Sequence, residues 1–144
     1  MDKPAIRTPS NVLKRGYSDE EIDNIYELGR ILLEAGQLKR AEILFNGITE
    51  IVPEYAPAWL GLSYIHIQQK AYDTAAWAAR LALQHDPDFI EGMLYLIACL
   101  LILGDLNTAG TFLGEVGERI ENGTVTQPDL IRFYRMQLAR YENL

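Results

Sequence analysis

Apolar positions in this chain recur with a helical rhythm that breaks and restarts at regular intervals. Ile22, Ile25, Leu28, Leu32 and Ala35 are spaced three or four residues apart and predict one amphipathic helix. Ser18 with Glu21 three residues later is a capping box, and Asp19, Glu20 and Glu21 suit the positive end of a helix dipole. That helix therefore starts near Asp19, and Gly36 ends it where a left-handed cap is often needed. A second helix is expected over 38–51, with Ala41, Leu44, Phe45 and Ile48 inward, until Pro53 stops it. The pattern then restarts over 56–69 and 72–84, breaks at Asp86-Pro87-Asp88, and restarts over 89–103 and 106–120. A last helix is expected over 127–141, capped by Thr126, with Leu130, Tyr134, Leu138 and Tyr141 on one stripe.

These units fall in register at a shift of 34 residues. Ile25, Trp59 and Met93 share a slot, as do Leu28, Leu62 and Leu96, and Phe45, Ala79 and Leu113. Ala41, Ala75 and Ala109 share the slot that lets two helices of one unit approach closely. Gly29 and Ser63 face that slot in the first two units, whereas the third has Ile97 and ends on Glu121 where the others have Pro53 and Pro87. Gly110, Gly114 and Gly117 are expected to let the third unit's second helix pack closer, at some expense in helix stability. A period of this length marks a helix–turn–helix solenoid, in which each unit packs on its neighbours and leaves a continuous concave surface.

From Ile22 to Gly123 the spacing resembles the tetratricopeptide repeat. The fold class this implies is all-α, a right-handed tetratricopeptide-repeat solenoid of three helix pairs plus a C-terminal capping helix. The expected organisation is a basic N-terminal arm over 1–17 and a single domain over 18–144. Within it the repeats span 22–55, 56–89 and 90–123, and the capping helix 127–141. A narrower resemblance is carried by Ile25-Tyr26-Glu27-Leu28, Ala35-Gly36-Gln37-Leu38 and Ala41, then by Phe45 and Trp59-Leu60-Gly61-Leu62. Cys99-Leu100-Leu101 and Gly104-Asp105-Leu106 continue it. Together these are similar to the translocator (class II) chaperones of bacterial type III secretion. That resemblance implies a cytoplasmic, commonly dimeric virulence chaperone that lays an extended segment of a secreted hydrophobic translocator in its concave groove.

In repeats of this kind the first helix of each pair lines the concave side. The groove residues expected there are Tyr26, Arg30 and Leu33 in the first unit, Leu60, Tyr64, Ile67 and Gln68 in the second, and Leu94, Ala98 and Leu101 in the third. Asp23, Glu34, Glu91 and Ile102 are expected to share the face. Contiguous exposed apolar surface of this kind marks a binding site. Three apolar anchors of a guest would contribute about 5–9 kcal/mol gross, before ordering costs. Tyr26 and Tyr64 can add hydrogen bonds, and Arg30 and Gln68 can meet guest carbonyls. The competing reading is that some of these side chains are core, or that self-association or the chain's own tail fills the face. Other repeat proteins of this class hold a carboxylate with Lys, Arg and Asn. Here the comparable positions are Tyr26, Arg30, Gly61, Glu91 and Tyr95, so no such clamp is expected.

Charge narrows the partner. The chain carries -7 overall, and 1–17 has Lys3, Arg7, Lys14 and Arg15 against Asp2, which leaves -10 on the remainder. An acidic body is ill suited to nucleic acid, which needs a basic face. The longest strongly apolar run, 93–103, falls short of the ~20 residues a membrane crossing takes. One cysteine, Cys99, excludes an intrachain disulfide and is expected as a buried, inert thiol. His66 and His85 have no carboxylates at ligand spacing, and Glu115, Glu118 and Glu121 read as a solvated helix face, or else as a contact for a basic partner. No nucleophile–base pair or metal set stands out, so neither an enzyme nor a cofactor is expected. The expected partner is a protein or peptide, either a secreted translocator or a needle component, with a homodimer formed through 1–20 and the first helix pair. A co-chaperone of a needle subunit's amphipathic helix, or a scaffold in an assembly complex, remain as alternatives.

Overall fold

A computed structural model describes residues 16–144, which form seven helices. They are α1 Asp19–Glu34, α2 Leu38–Ile51, α3 Ala56–Gln68, α4 Tyr72–His85, α5 Ile90–Leu103, α6 Leu106–Glu121 and α7 Pro128–Glu142. Each helix packs on the next through α6, and α7 lies across both α5 and α6. The described chain is thus three helix pairs closed by one further helix, the tetratricopeptide-repeat arrangement expected. Of the N-terminal arm, 1–15 lie outside the described residues.

Local signals explain the boundaries. The Ser18 hydroxyl accepts from the Glu21 amide at 3.1 Å, and the Glu21 carboxylate accepts from the Ser18 amide at 2.8 Å, which completes the capping box. The two helices of each pair are joined by the same turn. Gly36, Lys70 and Gly104 have φ of 78°, 61° and 87°, and they stand 34 residues apart. In each turn the amide of the next residue reaches back five residues, Gln37 to Leu32, Ala71 to His66 and Asp105 to Leu100, at 2.8–3.0 Å. Lys70 adopts the left-handed conformation without glycine's freedom. The last helix differs from expectation at its start. Its cap is Gln127, not Thr126, and Pro128 fills the first turn, where a missing N–H costs nothing.

The interior divides into two clusters. The first gathers Ile22, Ala41, Phe45, Ile48, Val52, Ala58, Leu62, Ile65 and Ala78 from α1 to α4. Phe45 is its largest member, fully buried between two glycines. A Cβ on either Gly29 or Gly61 would come within 2.5 Å of its ring. The second cluster joins α4, α5 and α6 through Ala75, Ala79, Met93, Leu96, Ile97, Leu100, Ala109, Leu113 and Val116. At the boundary the buried Ser63 hydroxyl donates to the Ala75 carbonyl at 2.9 Å, linking the two helices of the second unit.

The capping helix fits against α6 through two of its glycines. A Cβ on Gly117 would meet the Tyr134 hydroxyl at 2.6 Å, and one on Gly110 the Tyr141 hydroxyl at 2.7 Å. Leu130, Tyr134, Leu138 and Tyr141 all pack on the second cluster, as their stripe implied. Gly114 does not belong to this set, because a Cβ there would meet nothing.

A concave aromatic trough as candidate functional site

The first helices of the three pairs, α1, α3 and α5, place their inward residues side by side. Tyr26, Arg30 and Leu33 from α1, Leu60 and Tyr64 from α3, and Glu91 and Tyr95 from α5 line one cavity of about 290 Å³, with Phe45 and Gly61 at its floor. A second cavity of about 290 Å³ adjoins it, sharing Tyr64 and Tyr95. Its other walls include Ile67, Gln68, Tyr72, Ala98, Ile102 and Phe133. The two form one trough with a tyrosine pair at its waist.

Aromatic rings run the length of it. Tyr55 and Tyr26 meet edge to face at 5.7 Å, and Tyr26 lies 5.7 Å from Phe45. Tyr64, Tyr95 and Phe133 follow at 6.3 and 5.8 Å. Such rings offer apolar faces, and the tyrosines add a polar rim. The Tyr55 hydroxyl donates to Asp23 Oδ1 at 2.8 Å, beside Tyr26 and outside the lining of the first cavity. Burial pushes the Tyr95 hydroxyl up to about 12, with Glu91 adding to the effect. Tyr26 and Tyr55 are raised as well, chiefly by burial, and for Tyr55 also by its bond to Asp23. All three stay protonated near neutrality; the Tyr55 O–H is committed to Asp23, and those of Tyr26 and Tyr95 are available as donors. Arg30 is held by Glu27 at 3.6 Å and Glu34 at 3.4 Å along its own helix, so it enters the trough as part of an ionic cluster and not as a lone cation.

Eight of the ten expected groove residues line the trough: Tyr26, Arg30, Leu33, Leu60, Tyr64, Ile67, Gln68 and Ala98. Leu60 is only 7% exposed and contributes to the floor more than to a contact surface. Leu94 and Leu101 are corrections, since both are buried in the second cluster. The reason is register. Glu91, Tyr95, Ala98 and Ile102 recur at four, three and four residues and make the concave stripe of α5, and Leu94 and Leu101 each sit one residue, about 100° of helix, to the side. α5 is apolar nearly all round, so hydropathy alone could not choose its face. Phe133, Gln137 and Arg140 of the capping helix are the residues the sequence reading missed. They recur at four and three residues, a second stripe on a helix whose first stripe had already been assigned to covering the core.

Other chemistry is not favoured. Cys99 borders the second cavity, but burial pushes its thiol up to about 11, which leaves it protonated and unreactive. Among the described residues no cluster of His, Cys, Asp and Glu is placed to hold a metal, and no helix is long and apolar enough to cross a membrane. A larger depression of about 860 Å³ lies between α6 and α7, lined by Glu115, Glu118, Glu121, Arg119 and Arg135 among others. It shares no residue with the trough, and Leu113, Ile120, Ile131 and Tyr134 line it beside the charged side chains.

Stacked helix pairs around an aromatic concavity define a tetratricopeptide-repeat solenoid. The solved structures it resembles include type III secretion translocator chaperones. SycD of Yersinia enterocolitica superposes with a TM-score of 0.75 at 19% identity, covering 92% of this chain and 91% of that one. PcrH, in complex with the chaperone-binding region of PopD, gives 0.71 at 22% identity, covering 89% and 93%. The TPR2AB domain of yeast Sti1, bound to an Hsp90 peptide, gives 0.74 at 12% identity, covering 95% of this chain and 51% of that one. No family model and no curated protein matches the sequence.

Proposed function

We propose that this protein is a peptide-binding chaperone that holds a segment of a secreted, type III translocator-like protein in its concave trough. The observation that carries this is the pair of adjoining cavities walled by Tyr26, Leu33, Tyr64, Ile67, Tyr95 and Phe133, long and apolar enough for several guest side chains. Solved structures of the same fold support it, since SycD has been solved with a peptide of the translocator YopD and PcrH with a region of PopD. The contacts we assign to the guest are Tyr26, Arg30, Leu33, Tyr64, Ile67, Gln68 and Ala98, with Leu60 beneath them. The reading treats 18–144 as one domain of repeats 22–55, 56–89 and 90–123, with a capping helix over 127–141 and an arm over 1–17. It places the protein in the cytoplasm, as a binding protein and not an enzyme.

Co-expression with the neighbouring secreted proteins of its genome, followed by affinity capture and mass spectrometry, tests the reading. A hydrophobic secreted protein is expected to copurify with the wild type. Ile67→Asp and Leu33→Asp, both at partly exposed trough positions, are expected to lose it while helical circular dichroism and the melting temperature hold. Retention by both variants, or capture of a short helical needle subunit in its place, overturns the translocator reading.

Self-association is assigned to the first helix pair. Leu28 and Ile31 of α1 and Ile43 of α2 are exposed large apolar side chains with no core role. SycD has been solved as more than one dimer, which supports a homodimer here. Leu28→Glu with Ile31→Glu is expected to convert a dimer to a monomer by light scattering, and an unchanged mass would refute that surface.

A further inference from the structure

The capping helix contributes a buried amide to the second cavity, and that amide has half of its hydrogen bonding unmet. Gln137 is 4% exposed and lines the cavity. Its Oε1 accepts from Arg140 Nη1 at 3.0 Å. A guanidinium carries only donors, so the group facing it must be the oxygen, which fixes the amide's orientation. Nε2 then points its two hydrogens elsewhere, and no acceptor among the described residues meets them. Buried donors without a partner are rare in folded proteins and signal a group that something else completes. The cavity beside it combines the apolar Ile67, Ala98, Ile102 and Phe133 with Tyr64, Gln68, Tyr72 and Tyr95.

We propose that Gln137 Nε2 receives a main-chain carbonyl of an extended guest whose adjacent apolar side chain enters the cavity beside Ile67 and Phe133. This deepens the peptide-chaperone reading and rests on it. The site selects an extended segment, because a helical guest has its carbonyls engaged within its own turns. The Nε2 donor is neutral and suits a main-chain carbonyl, while Arg140, which keeps further N–H donors, makes a free carboxylate the competing guest.

The probe is an acetylated, amidated hexapeptide of alternating serine and leucine, titrated into the ¹⁵N-labelled full chain. The Gln137 side-chain N–H pair is expected to shift with the peptide. Gln137→Met, which keeps the length and removes the donor, is expected to weaken the peptide about tenfold, the size of one net hydrogen bond, with no loss of melting temperature. Unchanged affinity in Gln137→Met, or shifts confined to the Tyr26–Leu33–Leu60 cavity, overturns this assignment and leaves the trough reading intact. Tighter binding by the same peptide with a free carboxylate also overturns it, in favour of a chain terminus. Absence of any shift along the trough sinks both.

Discussion

The two ends of the solenoid are finished in different ways. At the C-terminal end α7 lies over α5 and α6, and Tyr134 and Tyr141 reach into the spaces left by Gly117 and Gly110. At the N-terminal end α1 exposes Leu28 and Ile31, and on its inner side it meets one ring, Phe45, gripped between Gly29 and Gly61. Glycine serves close approach at both ends, but what it admits differs. Near Phe45 it admits a whole, fully buried ring held from both sides by backbone. Near Tyr134 it admits the outer tip of a side chain that can swing. The N-terminal end is therefore the more brittle of the two, and substitutions of the same kind should separate them.

The largest effect is expected from Phe45→Ala, which leaves a cavity that both helix pairs border. A loss of about 3–5 kcal/mol, read from urea unfolding, is the expected size. Gly61→Ala should follow at about 1–3 kcal/mol, because the ring it meets is trapped from the other side by Gly29. Gly117→Ala makes the counterpart at the other end. Its helix-propensity gain of about 1 kcal/mol should nearly cancel the displacement of a tyrosine tip, for a net change close to zero. Equal losses in the two alanine variants would show that the ends do not differ in this way.

Alkaline pH probes the trough between them. Tyr26, Tyr55 and Tyr95 hold their protons more tightly when folded than when unfolded. Their contribution is therefore full below the ordinary tyrosine range near pH ~10 and is lost as pH rises through the folded values. For Tyr95, raised to about 12, the loss is on the order of 2 kcal/mol between those limits. A melting temperature that held constant from pH 9 to 12 would contradict the burial of these hydroxyls. A small stabilising effect is expected at the middle turn. Lys70→Gly should stabilise by about 1 kcal/mol, since Gly36 and Gly104 already occupy the same left-handed slot.

The sequence disclosed the repeat, the helix ends and most of the trough, because each rests on local chemistry. Ser18 with Glu21 is a cap whatever surrounds it, and Ala41, Ala75 and Ala109 recur because the close crossing of two helices recurs. Tyr26, Tyr64 and Ile67 were found because α1 and α3 carry the same inward stripe, Tyr26 in register with Leu60, Arg30 with Tyr64 and Leu33 with Ile67. Leu94 and Leu101 were misplaced because α5 is covered on nearly every side, by α4, α6 and α7, so that all its faces are greasy and period alone cannot name the open one. Gln137 could not be found that way. Its significance arises from burial beside Arg140 and from the missing partner of one amide group, which only three dimensions reveal.

Phe45 belongs at once to the interior of the first two units and to the floor of the trough. Occupancy and folding therefore share a residue, and a molecule seated on that ring must shift the unfolding equilibrium by mass action. On the proposed peptide-binding reading, a copy with a guest over that ring outlasts an empty one under heat or protease.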